Sequence, residues 1–450
     1  MLSPPRPLRG TMMFKKRAAL PAPKMLHPKA TKAAAIGLAA ALLLTACGRD
    51  NGSGSGSTES ASPIASGLAT GTVTVWAQGA EGAALPALAK EFEAANPGVK
   101  VNVTAIPWDA AHNKYQTAIA GGTTPDIAQM GTTWMSDFSD AFEPTPSAVD
   151  TGDIFPGSVK STDVGGTRYG VPWYVDANVV FYRSDLAAKA GHEAFPTDWD
   201  GFKSLAKDLQ SKAGAKYGVA LPAGGADSFQ RILPFVWSGG AQLVNQDSTK
   251  WTLDTPELGE ALNYYNSFFT EGIADKNPAT GAGAAESAFV DGSVPMWIGG
   301  PSGIGELEKA GGAGFADKYK VALVPKQKSA TSFAGGSNLV VFKKSQNRDA
   351  AWKFIQWLSQ PDIQVKWYKA TGDLPASQSA WKDPSLSGDS KLSVFGDQLK
   401  DVNSPPSLTT WTQVSAAADT QLEQIVKAGK NPASALKELQ STADSIGTGR

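Results

Sequence analysis

Between Gly71 and Val103 the chain reads "GTVTVW", then "LPALAKEF", then "NPGVKVNV". The first run alternates Val with Thr and ends at an aromatic, which is the period-two pattern of a strand with one buried face. The second places apolar residues at helical spacing, and Asn-Pro-Gly then breaks the helix and opens another alternating run. The pattern repeats downstream. "NKYQTAIAGG" reads as a helix closed by Gly121 and Gly122, "TPDIAQM" as a buried strand, and "TTWMSDF" as a loop and helix start. This alternation predicts an α/β domain with a largely parallel sheet.

From 185 to 212, from 257 to 269, and in "RDAAWKFIQWLSQPDIQVKWYKATG" and "TQLEQIVKAG" the periodicity is helical, so the second half is helix-rich. No repeat of fixed period is present. Residues 71–450 exceed one ordinary domain of about 100–200 residues, which implies two domains. A hydrophobic content of 42% is enough for sizeable cores.

The N-terminal end has a different character. Arg6, Arg9, Lys15, Lys16, Arg17, Lys24, Lys29 and Lys32 precede an uncharged Ala/Leu run from Ala33 to Ala46, with no acidic residue in the first 46. That run is shorter than the roughly 20 residues needed to span a bilayer and reads as the apolar region of an export signal. Leu44-Thr45-Ala46-Cys47 resembles the lipobox of bacterial lipoproteins, in which the cysteine is diacylated and becomes the first mature residue. An ordinary secreted protein, or an inert cysteine, is the competing reading. Two acyl chains suffice for stable attachment where one does not. Cys47 is the chain's one cysteine, so no disulfide can form. Residues 1–46 are thus the expected signal peptide, with Met1, Met12, Met13 and Met25 as candidate starts, and 47–70 a flexible Gly/Ser-rich tether. The expected location is extracytoplasmic, at the cell surface or in the periplasm, lipid-anchored to the membrane.

A formal charge of −1 gives no basic footprint for nucleic acid. Three histidines, His27, His112 and His192, leave little material for a metal cluster or a Ser-His-Asp triad. No nucleophile elbow, P-loop or dinucleotide fingerprint occurs. No cofactor or metal is expected. Carboxylate pairs have no fixed spacing, so a secreted glycosidase is the enzyme alternative.

Thirteen tryptophans, all beyond Cys47, are the positive signal. Flat aromatic faces can stack on sugar rings, although filling a core is the commoner use of any one of them. Trp352 and Trp357 sit in an amphipathic helical pattern and read as core. Trp134, Trp173, Trp237 and Trp411 fall at expected loops or element ends, where a ring can face solvent or ligand.

The ordered set "TVTVWAQGAEGAALPALAKEFEAANPGVKVNV", "AIAGGTTPDIAQM", "YGVPWYVDANVVFYRSDLAAKAG", "AFVDGSVPMWIGGP" and "AAWKFIQWLSQPDIQVKWYKATGDLP" resembles family 1 extracellular solute-binding proteins, the sugar-capturing subunits of ABC importers, and among them the maltodextrin-binding type. The resemblance runs from about Gly71 to the C-terminus. It implies a periplasmic-binding-protein-like type II α/β fold: two lobes joined by a three-segment hinge, with the ligand cleft between them. The crossings are expected near 173–178, 333–338 and 372–377. Lobe one would be 71–174 and 338–372, and lobe two 175–337 and 373–450. The implied partners are a mono- or oligosaccharide and membrane permease subunits powered by an ATPase. The binding protein itself would be a monomer without catalytic residues.

Position by position, the resemblance implies ligand roles for Gln78 and Glu81 after the first strand, and for Thr132, Thr133 and Trp134 after the third. It implies the same for Trp173, Tyr174 and Asp176 on the first crossing and for Asp227, Phe229 and Trp237 in lobe two. Gly300, Pro301 and Ser302 match a Gly-Pro-aromatic element in which Ser302 replaces the aromatic. Gly335, Gly336 and Ser337 lie at the second crossing, where glycine would let backbone N–H groups approach a ligand, and Trp411 matches a stacking tryptophan. Asp126 and Gly299 read as chain-geometry residues. Arg183 is an alternative, purely structural partner for Asp176.

Overall fold

The computed structural model describes residues 62–279 and 283–449. Cys47, the signal and most of the tether lie outside them.

The alternating run becomes β1 (Thr70–Gln78), with Val73, Val75 and Ala77 fully buried. Helix α1 (Gly79–Ala95) returns the chain to β2 (Gly98–Ile106), which pairs in parallel with β1. Helix α2 (Trp108–Gly121) ends at Gly122, whose φ of +66° provides the left-handed cap. The fully buried β3 (Ile127–Gly131) then joins β1 in parallel on its other side. Asp126 at its start is a staple. One carboxyl oxygen accepts from the Thr74 amide and hydroxyl at 2.8 Å, and the other accepts from the Ser345 hydroxyl at 2.5 Å. Burial opposes its charge, yet the hydrogen bonds from Ser345, Thr74 and Asn347 outweigh it and hold the carboxyl below its usual range.

A small hairpin, β4 (Asp163–Val164) with β5 (Thr167–Arg168), precedes β6 (Val171–Ala177). After Asn178 the chain enters β7 (Val179–Tyr182), which belongs to a different sheet. There it is flanked by β8 (Met296–Gly299) and β9 (Lys320–Ala322). The chain returns through β10 (Ser332–Val341), β11 (Leu374–Pro375) and β12 (Val402–Asn403). The large sheet has the order β11-β6-β10-β3-β1-β2, with β12 against the start of β10.

The expectation of a largely parallel sheet holds only for β1, β2 and β3 and for the β10–β12 pair. β10 runs antiparallel to β3 and β6, β11 antiparallel to β6, and the second sheet is antiparallel throughout. The reason is connectivity. β10 and β11 are laid down by a chain coming back from the other sheet, and β6 leads toward it, so they need not follow the right-handed strand–helix–strand rule that fixed the first three.

Helices such as Trp199–Asp208, Ser228–Ser238, Pro256–Thr270 and Trp411–Ala428 build a large core beside the second sheet, filled by Phe202, Leu233, Tyr265 and Phe268. A separate core lies on the first sheet around Val75, Trp352 and Phe354. Trp352 is buried as its helical spacing predicts, and Trp357 packs at the edge of the same core. The tether was expected to run free to residue 70. The structure instead holds its end on this layer: Arg348 donates to the Ser62 carbonyl and, at 3.0 Å, to the Pro63 carbonyl, while Ile64 packs on the core.

Candidate functional site

The last residue of β1, Gln78, is wholly buried, so the expectation that it offers its amide to a ligand gives way to a structural role. Its Nε2 donates to the Tyr115 hydroxyl at 2.9 Å and to the Gln129 carbonyl at 3.0 Å, and its amide donates to Gln129 Oε1 at 2.7 Å. Gln129, a polar residue inside the otherwise apolar "PDIAQM" strand, is the hub. Its Nε2 reaches the Ser337 hydroxyl at 3.2 Å and the Tyr174 hydroxyl at 3.3 Å. Ser337 Oγ donates to Tyr174 at 3.0 Å, and Tyr174 donates to Glu81 Oε1 at 2.8 Å. Six residues from β1, α1, α2, β3, β6 and β10 are thus tied together at the head of the large sheet. Burial first, then the Glu81 carboxylate, pushes the Tyr174 phenol well above its usual pKa.

Beside Glu81 is an aromatic corner that joins the expected Trp134 to Trp108, which sequence reasoning missed. Gly79 has φ +46°, and a Cβ there would lie 2.9 Å from Trp108 Nε1 and 3.3 Å from Glu81 Oε2. Glycine therefore lets the Trp108 ring close over the start of α1. Trp108 is 39% exposed and meets the Trp134 ring at 5.9 Å and 61°. Trp134 also takes the edge of His112 at 5.4 Å. Thr132, Thr133 and Trp134 form one half-buried 3-10 turn after β3. The available signal for Trp108 was its place immediately after a strand end, "AIPW".

At the crossing, Asp176 on β6 is opposite Gly335 on β10. A Cβ on Gly300 would come within 2.8 Å of Asp176 Oδ1, so that glycine makes room for the carboxylate. The alternative partner is excluded: Arg183 instead forks onto Asp185 at 2.7 and 2.8 Å and onto the Phe289 and Val290 carbonyls. Asp176 Oδ1 is sealed from solvent with no hydrogen-bond partner. Burial, and next the charge of Asp373, push its pKa up to about 7 against the Ala177 amide. Asp373, also missed, stands before β11 in "TGDLP" and accepts from the Trp367 indole at 3.0 Å. Burial and Glu81 push it up to about 6.

Gly299, Gly300 and Ser302 line a cavity of about 540 Å³ together with Asn178, Arg231 and Trp297. Its size suits a sugar-sized molecule, since small-molecule pockets run from about 300 to 1,000 Å³. Pro301 caps the helix Ser302–Gly311 at the cavity's edge.

Several expected ligand residues are core. Trp173 is buried and stacked on Trp367 at 4.4 Å, because on β6 it points to the opposite face from Tyr174. Trp411 and Phe229 are buried against one another at 6.5 Å, with Trp251 on the far side of Trp411. Asp227 is exposed with φ +61°, and its amide and that of Phe229 donate to the Asp419 carboxylate, which closes a helix start. Trp237 is buried and parallel to Phe333 at 6.4 Å, with one edge on a 250 Å³ pocket beside Lys160 and Asn403. Gly336 has φ +112°. A Cβ there would meet the Tyr174 carbonyl at 2.2 Å, so the glycine serves the approach of β10 to β6.

Residues 76–365 match the bacterial extracellular solute-binding protein family. The chain belongs to that family. Among solved structures, this solute-binding protein superposes with a TM-score of 0.79 on the sugar-binding protein MalE of Xanthomonas citri, 33% identical, covering 84% of this chain and 97% of that one. Curated relatives include the maltotriose-binding protein of Pyrococcus abyssi, 24% identical over 79% of this chain and 78% of that protein. The lactose-binding protein of Rhizobium radiobacter is 24% identical over 65% and 71%. The family binds solutes rather than transforming them, so the glycosidase alternative falls and the solute-binding protein is not an enzyme.

Proposed function

We propose that the solute-binding protein captures a mono- or oligosaccharide between lobes 71–174 with 338–372 and 175–337 with 373–450, closes on it, and delivers it to the permease of an ABC importer. It is the sugar-binding component of such a transporter. The observation that carries this reading is the cavity at Gly299–Ser302 with Asp176 against its wall, in a chain whose relatives bind maltotriose and lactose. The Trp108–Trp134 corner supplies ring faces, and Glu81, Asp176 and Arg231 supply acceptors and donors for hydroxyls. Lobe closure would bring these walls together and exclude water from the sugar.

In the same reading the protein acts as a monomer outside the cytoplasm, held to the membrane by lipid on Cys47. The support for that anchor is the "LTAC" sequence after a basic and then apolar leader. Calorimetry against a panel of mono- and disaccharides tests the binding: one of them should bind reversibly and be recovered intact. No binding to any sugar overturns the reading. Mass spectrometry of the mature protein should find a diacylglyceryl Cys47 at its N-terminus, absent in Cys47→Ser.

A further inference from the structure

Two carboxylates and one guanidinium line the cavity, and three more carboxylates lead away from its Gly300 edge. Glu286 and Glu306 line the 540 Å³ cavity with Arg231, and Asp176 lies against its Gly300 edge. The charge of Asp373 is felt at Asp176, and that of Glu81 at Asp373. Among the described residues none of the five takes part in an ion pair. The partners they do have are neutral: the Tyr174 hydroxyl for Glu81 and the Trp367 indole for Asp373. Asp176 Oδ1 has none and is closed off from water.

A protein leaves a buried acceptor unsatisfied at a real cost, and like charges this close add to it. Hydroxyls of a neutral sugar can bond to carboxylates but leave the excess negative charge where it was. An ammonium group supplies the hydrogen bonds and the missing charge together. We propose that the cleft prefers a saccharide carrying a protonated amine, an amino sugar, with its ammonium directed to the Asp176–Asp373 end. This rests on the saccharide reading above and narrows it. The raised pKa values of Asp176 and Asp373 agree with it, since an arriving cation would return both groups to the ionised form and release protons on binding.

The test compares matched pairs that differ only in the amine: glucosamine with glucose, galactosamine with galactose, and the de-N-acetylated β-1,4-linked glucosamine dimer with cellobiose. Each is titrated calorimetrically at pH 7, in low and high salt. In at least one pair the amine should bind at least about tenfold tighter, and the ratio should shrink in high salt as screening weakens the charge contact. In Asp176→Asn the ratio should fall toward one. Glu306→Gln, on an exposed helix face, should lower it less, and melts confirm that both variants are folded. Neutral sugars that bind as tightly as their amines overturn the proposal and leave the saccharide reading standing. Binding of neither kind overturns both. A preference that survives Asp176→Asn overturns the placement of the ammonium.

Discussion

Tyr174 donates its phenolic proton to Glu81 Oε1 at 2.8 Å, joining the strand that leaves the large sheet to the first turn of α1. The same hydroxyl accepts from Ser337 and Gln129, so one oxygen links four elements at the point where the chain passes between sheets.

Tyr174→Phe deletes that oxygen and leaves Glu81, Ser337 and Gln129 each short of a partner. Unsatisfied buried groups cost about 1–3 kcal/mol. The expected outcome is a clearly lowered melting temperature together with weaker sugar binding, whereas a surface substitution such as Lys353→Ala should change neither. Thermal melts and calorimetry on the pair of variants decide it. Unchanged melting of Tyr174→Phe would show that the network adds nothing.

The tryptophans divide by burial. Trp173→Ala and Trp411→Ala remove rings packed inside cores and should each cost about 3–5 kcal/mol of stability. Trp108→Ala and Trp134→Ala should melt close to wild type and lose about 1–3 kcal/mol of sugar affinity, tenfold to a hundredfold in Kd. Denaturant unfolding beside titration separates the two effects. Trp108→Ala binding like wild type would remove the aromatic corner from the site.

The sequence disclosed the order of the first elements because β1, α1 and β2 are local patterns: alternation, helical spacing and an Asn-Pro-Gly break. It also marked Asp176, Gly300 and Ser337, which the fold places around the crossing. It misplaced Trp173 and Trp411 because burial depends on what packs against a residue. Trp173 is stacked on Trp367, almost two hundred residues away in sequence, and no local pattern carries that. Gln78 was misread for a related reason. It ends a strand, where an exposed tip is the usual expectation, but Tyr115 and Gln129 converge on it from α2 and β3. Gln129 itself was legible as a lone polar residue in a buried strand, and Asp373 was not, since only the fold brings it beside Asp176.

Asp176 and Asp373 tie stability to pH. Both titrate near 3.9 in an unfolded chain, while the fold pushes them up to about 7 and about 6. Between about pH 4 and 7 the folded protein therefore holds more protons than the unfolded one, and their contribution to stability falls as pH rises through that window. Above about pH 8 both are ionised in either state and the slope vanishes. The melting temperature of wild type minus that of Asp176→Asn, measured without ligand from pH 4.5 to 9, should be largest at the acid end and shrink up to about pH 8. A difference independent of pH would mean that Asp176 is ionised throughout.

Arg348 fixes where the N-terminal segment leaves the folded body. Its guanidinium holds the Ser62 and Pro63 carbonyls and pairs with Glu143 and Asp349, so the segment is gripped by a cation that is itself anchored. Ile64 and the Ala69 amide, which donates to Asn96 at 3.0 Å, complete the attachment. Arg348→Ala should release residues 62–68 while leaving Ala69 and β1 in place, because the strand is held by its own ladder to β2. Hydrogen exchange on the full chain should show faster exchange confined to that segment, and limited proteolysis should cut there first. Sugar affinity should not change, since none of these residues lines the cavity at Gly300. If the segment is equally protected in wild type and Arg348→Ala, Ile64 and Asn96 hold it alone; a loss of sugar binding would instead mean that the grip reaches the cleft through the helix that Arg348 begins.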